Sequence, residues 1–423
     1  MWETMRNVWR VPELRKKLLY TFFMLLIYRL VGVIPVPGID RAAIQSAMGT
    51  YDMLGLVNMM TGNAFSQMTI MAMGISPYIN ASIIMQLLTI AIPALERLQK
   101  DGGEEGKQKI NRITRYVTVG LAALQAIGII AGLRAINSTY QNFFGYMTIG
   151  IIMAGGTALA MWIGERITKN GIGNGISLLI FAGIVSNLFN GILSSIQNVF
   201  NGGGMQAVGQ LVTILLTTLI ILVIVTFVDL AERRIPVQYA KRVVGRKMYG
   251  GQSSHIPMKL LSVGVLPLIF AYSFMAFPGT IFAMFGTNSG AYKWWSTNMS
   301  QTSPWYMLVC ALLIIAFSYF YTSITFNPQD IAKNIQQQGG HIPGIRTGSK
   351  TVEFLTRTSN RLTLFAALFL AILSTVPSIL TVWQRVQIPF GASSILIAVS
   401  VAIETVRQVE SQLVMRNYKG FLG

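Results

Sequence analysis

Residues 207–228 read AVGQLVTILLTTLIILVIVTFV, a run without a single charged side chain. A helix needs about 20 apolar residues to cross the hydrocarbon core of a bilayer, so this run is long enough to span a membrane. The composition of the chain agrees, because 52% of its 423 residues are hydrophobic and only 11% are charged. Water-soluble domains carry about a quarter charged residues. The chain is therefore predicted to lie in a membrane.

Runs of similar length and composition lie on both sides of this one. Together they predict ten spanning helices, five before and five after a glycine-rich connection at 201–204. This division permits two five-helix halves, 1–200 and 201–423, although no internal symmetry is visible in the residues. The ten runs are approximately 18–36, 68–92, 113–133, 143–163, 176–199, 207–228, 260–282, 305–326, 362–383 and 392–413.

Basic residues lie almost entirely between the runs and on one side of the predicted membrane. The formal net charge is +18, yet the opposite side carries only four of these residues: Arg41, Arg134, Lys293 and Arg385. Lys and Arg are retained on the cytoplasmic side of membrane proteins. The pattern therefore predicts cytoplasmic termini and two long cytoplasmic loops, at about 229–259 and 327–361.

One segment, residues 53–67, does not fit the pattern of spans. It is hydrophobic and rich in methionine, but it is too short to cross a bilayer, and it contains Asn58, Gly62 and Asn63. A re-entrant half-helix lining a pore is one interpretation, since irregular backbone is tolerated where protein or water surrounds it. An amphipathic helix at the membrane surface is the other. The residues themselves leave both open.

Few polar residues lie inside the runs. Arg29, in the first run, is expected either to extend its guanidinium to the membrane surface or to pair with another polar group. Uncharged polar side chains at five positions are expected either to join helices by hydrogen bonds or to mark a seam that can open. These five are Asn80, Gln86, Gln125, Asn187 and Asn190.

The centres of the predicted spans carry almost no ionisable groups. An ion-coupled transporter uses such a group near the membrane midplane. Asp229, Glu404, Arg407 and Glu410 all lie towards the basic side. A ten-helix secondary transporter is therefore the less favoured alternative to a passive channel.

Groups that could catalyse a reaction are also missing from the sequence. His255 and His341 lie in the basic loops, Cys310 is the only cysteine, and no HExxH or GxSxG motif occurs. We therefore expect no enzyme activity, no metal and no cofactor.

Five motifs occur in order along the whole chain: IPVPGID at 34–40, GISPYINASIIMQLL at 74–88, GIGNGIS at 171–177, YAKR at 239–242 and IPGIR at 342–346. In these motifs the chain resembles the SecY family, the channel subunits of the bacterial Sec translocase. Two departures are Thr347, where the family commonly has proline, and the charged residues of the last span.

The resemblance implies an all-α polytopic membrane fold with ten transmembrane helices in two pseudo-symmetric five-helix halves around a central pore. It makes residues 53–67 a re-entrant plug helix. The implied function is a protein-conducting channel. Such a channel exports unfolded polypeptides and inserts hydrophobic segments sideways into the bacterial inner membrane.

The resemblance also implies roles for particular residues, assigned by motif matching. A pore ring of isoleucines is expected at Ile79, Ile83, Ile180, Ile184, Ile269 and Ile397. Plug residues are expected at Met53, Leu54, Asn58, Gly62, Asn63 and Phe65. A lateral gate is expected at Gln86, Thr89 and Gln125, and a docking surface at Lys241, Arg242 and Arg346. The implied partners are SecE-like and SecG-like subunits, a SecA-like motor ATPase, the ribosome, signal sequences, unfolded polypeptides and anionic lipid.

Overall fold

The architecture is taken from a computed structural model. It describes residues 9, 11–41, 44, 58, 61–100, 102–133, 140–201, 204–239, 242–244, 247–249, 253–261, 264–284, 289–300, 303–384 and 392–419. Within these ranges the chain is predominantly helical. The helices are α1 Pro12–Val31, α2 Ser76–Ala91, α3 Pro93–Lys100, α4 Gly103–Leu133, α5 Phe143–Asn170, α6 Gly175–Phe200, α7 Gly204–Leu230, α8 Leu266–Met284, α9 Gly290–Asn298, α10 Pro304–Thr325, α11 Pro328–Gln337, α12 Ser349–Gln384 and α13 Ala392–Lys419.

Every one of the ten predicted runs falls on one of these helices. Among the described residues, six helices are long and apolar enough to cross a membrane by length and composition: α4, α5, α6, α7, α10 together with α11, and α12. The bent pair α2 and α3 makes a seventh, with a bend of 104° at Ile92, just before Pro93. Proline lacks the N–H that would continue the helix. Of the rest, α1 and α13 carry several charged residues, and the described apolar part of α8 is short.

The second span begins later than the sequence predicts. Residues 68–75 form turns rather than helix, and α2 starts only at Ser76. The cause is a bridge in which Val36 N donates to Met68 O at 2.9 Å and Ile70 N donates to Ile34 O at 2.9 Å. This pairing also ends the first span at Val31 instead of residue 36. A positive φ of 52° at Gly74 completes the turn.

Short strands in the basic loops were not predicted. β1 Glu232–Tyr239 pairs antiparallel with β4 Ser253–Lys259 and with β5 Gly340–His341, and β2 Arg242–Val244 pairs with β3 Lys247–Tyr249. The two long loops therefore meet in one three-stranded sheet, of order β4-β1-β5. Ile235, Val237 and Leu355 are buried beneath it in a core shared with α11 and α12.

Two sets of contacts join the first six helices to the later ones. On one side, α6 packs against α7 and α13. On the other, α8 packs against α2 and α4. The isoleucines predicted for the pore ring lie between these two seams, on α2, α6, α8 and α13.

Candidate functional site

The six predicted ring isoleucines lie together in one apolar cluster, which we call the isoleucine cluster. Two pairs share a helix face because their members are four residues apart: Ile79 with Ile83 on α2, and Ile180 with Ile184 on α6. α8 contributes Ile269 and α13 contributes Ile397. Five of the six are at most 8% exposed, and Ile83 is half-buried. Four separate helices thus converge on one buried apolar contact.

A cavity of about 440–560 Å³ lies on each side of the isoleucine cluster. The larger, the loop-side cavity, is lined by Ile79, Ile180, Ile269 and Ile397 and by charged residues from the side of the basic loops. One of these, Asp229, accepts a hydrogen bond of 3.0 Å from Ser400 Oγ, which joins α7 to α13. The charged lining residues are Asp229, Lys259, Glu404 and Arg407.

The smaller cavity, the plug-side cavity, is lined by α1 and by residues 61–71. Between the two cavities lies a void without space for a water molecule. Tyr28 lines both this void and the plug-side cavity, whereas Ile79 and Ile180 line both the void and the loop-side cavity. The two cavities are therefore separated by a mostly apolar region that has no room for water.

The predicted plug is only partly helical. Met53 and Leu54 lie outside the described residues. Asn58 and Thr61 are helical, but residues 62–68 form turns. The prediction of helix through residue 67 is wrong, because Gly62 and Asn63 have positive φ values of 66° and 70°, which end the helix. We call the described residues Asn58 and 61–67 the plug segment.

Internal hydrogen bonds make the plug segment compact. Asn58 Nδ2 donates to Asn63 Oδ1 at 2.9 Å, and Asn58 Oδ1 accepts from the Ser66 backbone N–H at 2.9 Å. Ser66 Oγ donates to the Asn63 carbonyl. Ala64 belongs to the isoleucine cluster, and Phe65 is fully buried in a neighbouring core. The segment therefore reaches the cluster from the plug-side cavity.

Two polar side chains that the sequence did not assign to the plug contact it. Arg29 of α1 donates to the carbonyls of Gly62 and, from its other terminal nitrogen, Ala182. Asn187 Nδ2 of α6 donates to the Asn58 carbonyl at 3.1 Å. The available signal was an arginine inside an apolar run. What it contacts could not be read from the sequence, because both of its acceptors are backbone atoms.

The three predicted gate residues do not form one group. Gln86 lines the loop-side cavity, and Thr89 lines a separate cavity of about 970 Å³ between α2, α10 and α12. Thr89 Oγ1 donates to the Gln86 carbonyl within α2. Gln125 is buried on α4. All three nevertheless lie on α2 and α4, the helices that contact α8.

The predicted docking residues lie around the small sheet. Lys241 is outside the described residues, and Arg242 begins β2. Arg346 is exposed in the turn after β5, where its carbonyl accepts from Thr351 Oγ1 at 3.1 Å. At the other end of β1 from β5, a hydrogen bond from Arg234 lowers the pKa of the Glu232 carboxyl, so the charge of Arg234 is partly neutralised by an acidic neighbour.

Among the described residues, no group of His, Cys, Asp and Glu could hold a metal ion.

Comparisons with known proteins give the family. The SecY family profile matches residues 69–406. A SecY protein translocase subunit of Streptomyces galbus is 43% identical over 434 residues, which cover 98% of each chain. The solved structure of a protein-conducting channel covers 96% of both chains with a TM-score of 0.69 at 20% identity, and canine Sec61 from a ribosome-channel complex covers the same shares with a TM-score of 0.65 at 18% identity. The chain therefore belongs to the SecY family of protein translocase subunits and is a multi-pass membrane channel rather than an enzyme.

Proposed function

We propose that this chain conducts unfolded polypeptides through the isoleucine cluster, with 1–200 and 201–423 as the two halves that part around the substrate. One observation carries the proposal: all six isoleucines lie in one apolar cluster between two cavities. Branched apolar side chains around a narrow gap expel water and so block ions. An apolar contact has no preferred ligand, which suits a conduit that passes many different sequences.

The plug segment completes the closed state in this proposal. Its Ala64 packs in the isoleucine cluster from the plug side, and its Thr61, Asn63 and Gln67 line the plug-side cavity. An entering polypeptide would displace both the segment and the isoleucines. The segment holds its own shape by internal hydrogen bonds, so it can leave as a unit.

Lateral release of hydrophobic segments is assigned to the seam between α8 and the pair α2 and α4. Interhelical hydrogen bonds in bilayers are worth only about 1 kcal/mol, so a polar seam opens at low cost. Gln86, Thr89 and Gln125 supply the polar groups on the α2 and α4 side.

The proposal includes a location and partners. The basic bias of the loops supports a bacterial inner membrane with cytoplasmic termini. SecE-like and SecG-like subunits would accompany the chain, and a SecA-like motor ATPase or the ribosome would drive transport. Lys241, Arg242 and Arg346 would contact these drivers, because clustered basic residues suit both phosphate and acidic protein surfaces. Anionic lipid is a further expected contact of this basic side.

Crosslinking to a translocating chain tests the conduit. In a Cys310→Ala background, a single cysteine replaces Ile269, and an exported chain is arrested by a folded domain at its end. Crosslinks are expected from Ile269→Cys and from Ile397→Cys. The control is Ile220→Cys on α7, where the side chain is 56% exposed on the outer surface. Absence of crosslinks from both cluster positions would contradict the proposed path.

Neutralising Arg346 distinguishes a role in docking the motor from a role in setting the membrane orientation of the chain. Arg346→Ala is expected to lower motor-driven export about tenfold, which corresponds to a lost contact of roughly 1.4 kcal/mol. Membrane orientation should not change, because many other basic residues remain on that side. Transport of a precursor into inverted membrane vesicles and protease accessibility of the loops measure the two effects. Lys169→Ala, at the exposed end of α5, is the matched control. Equal export by both variants would exclude Arg346 from docking.

A further inference from the structure

We propose that Arg29 and Asn187 hold the plug segment in the position that closes the channel, and we call these two residues the latch. Arg29 is the residue that positions the plug segment. The inference rests on the proposed channel function and adds to it the contacts that set how readily the plug leaves. Arg29 lies on α1 and Asn187 on α6, so the latch connects two spanning helices to one short segment.

The guanidinium of Arg29 bridges the plug segment and α6. One terminal nitrogen donates to the Gly62 carbonyl at 3.4 Å, and the other donates to the Ala182 carbonyl. The planar fork of arginine suits two acceptors at once, whereas the ammonium of lysine is a single point of charge. None of the described residues that line the plug-side cavity is acidic. Backbone carbonyls are therefore the acceptors that this half-buried cation has in the cavity.

Residue 62 has no room for a side chain unless the Arg29 guanidinium moves. A Cβ added there would overlap the Arg29 guanidinium, and the positive φ of 66° also disfavours a side chain. The plug backbone thus approaches Arg29 directly, and the contact does not depend on the side chains of the plug.

A second link lies five residues further along α6. Asn187 is 8% exposed, and its Nδ2 donates to the Asn58 carbonyl at 3.1 Å. Both links end on main-chain carbonyls in the first part of the plug segment, those of Asn58 and Gly62. Internal hydrogen bonds keep this segment compact. It can therefore move as one body once both links and the packing of Ala64 and Phe65 are released.

Release through this latch is reversible because water can replace its bonds. Arg29 lines the plug-side cavity of about 440 Å³, which also contains Arg41. Water in such a cavity can satisfy a guanidinium almost as well as a carbonyl does. The closed and released states therefore differ by a few hydrogen bonds, and a translocating chain can shift the balance between them.

Ion leak through the resting channel tests the latch. Arg29→Met in proteoliposomes, without motor or ribosome, is expected to raise halide efflux about tenfold, the effect of losing one hydrogen bond to a charged group. Arg29→Lys should give a smaller rise. Val33, just after α1, and Gln67 of the plug segment line the same cavity. Cysteines at these two positions in a Cys310→Ala background, joined by a thiol crosslinker, should return the leak of the Arg29→Met channel to the resting level. A folding defect would not be repaired in this way.

Two glycines provide a matched pair that leaves Arg29 in place. Gly62→Ala and Gly204→Ala impose similar backbone strain, because φ is 66° and 64°, but a Cβ at Gly204 has nothing within 4 Å. Only Gly62→Ala should leak. Equal leak from both glycine variants, unchanged leak in Arg29→Met, or leak that the crosslink does not reduce would overturn the latch. Ile397→Asn is the reference variant. If it leaks while the latch variants do not, the proposed channel is retained and the latch is rejected. If Ile397→Asn does not leak either, the channel proposal itself fails.

Discussion

Ile397→Asn is expected to make the resting channel leak ions and to admit precursors with defective signal sequences. An amide buried without partners costs about 1–3 kcal/mol, so water is expected to enter the isoleucine cluster and satisfy it. A wetted cluster no longer favours the closed state, so a weaker signal sequence suffices to open it. Export of a precursor with a charged residue in its signal core measures this relaxation.

The control for this variant keeps the volume and the apolar character of the side chain. Ile397→Leu should remain dry, because volume-conserving apolar exchanges disturb a core little. Full dependence on an intact signal in both variants would contradict the assigned role of Ile397.

Locking α2 to α8 is expected to abolish export. Ser82 on α2 and Leu266 on α8 line the same cavity, on opposite sides of the seam. Cysteines at these two positions, joined by a thiol crosslinker in a Cys310→Ala background, would hold the seam shut. A hydrophobic signal segment could then no longer leave the conduit, and transport would stop before the chain is committed. Protease protection of an exported precursor measures the loss.

The same two cysteines without the crosslinker provide the control for the lock. Ser82→Cys and Leu266→Cys then carry the same substitutions, but the seam between α2 and α8 is not bridged. This form should keep its export activity. Normal export in the form locked between α2 and α8 would refute lateral opening at this seam.

The helices could be predicted because the bilayer imposes a length and a composition on each span. The run at 207–228 lies within α7, and the run at 143–163 begins at the same residue as α5. The first and last residues of the helices were less predictable. α12 begins at Ser349, well before the apolar run at 362, because residues such as Leu355 are buried against the sheet outside the spans. Nothing in a hydropathy pattern reports that packing.

Contacts between distant backbone segments could not be predicted from composition. The bridge between Ile34–Val36 and Met68–Ile70 converts the start of an apolar run into turns. The strand pairing of Gln238 with His341 joins the two long loops through residues that are 103 positions apart in sequence. Each depends on hydrogen bonds whose partners carry no side-chain signature.

The candidate site was predictable only through family resemblance. An isoleucine in a spanning helix is ordinarily a packing or lipid-facing residue, and Ile151 and Ile372 are 66% and 63% exposed in this same chain. Motif matching separated Ile79 and Ile397 from such residues. Arg29 is the opposite case. A charged residue inside an apolar run is conspicuous in the sequence, but Arg29 lies outside the five motifs, so the family resemblance assigned it no contact.

The most direct test of the isoleucine cluster as the seal is the ionic current across planar bilayers containing the resting channel. Asparagine replaces one isoleucine at a time, at Ile79, Ile269 or Ile397 in the cluster and at Ile151 or Ile220 on the outer surface. Current is expected from the three cluster variants and not from the two surface variants. Silent cluster variants, or equal currents from both sets, would contradict the account.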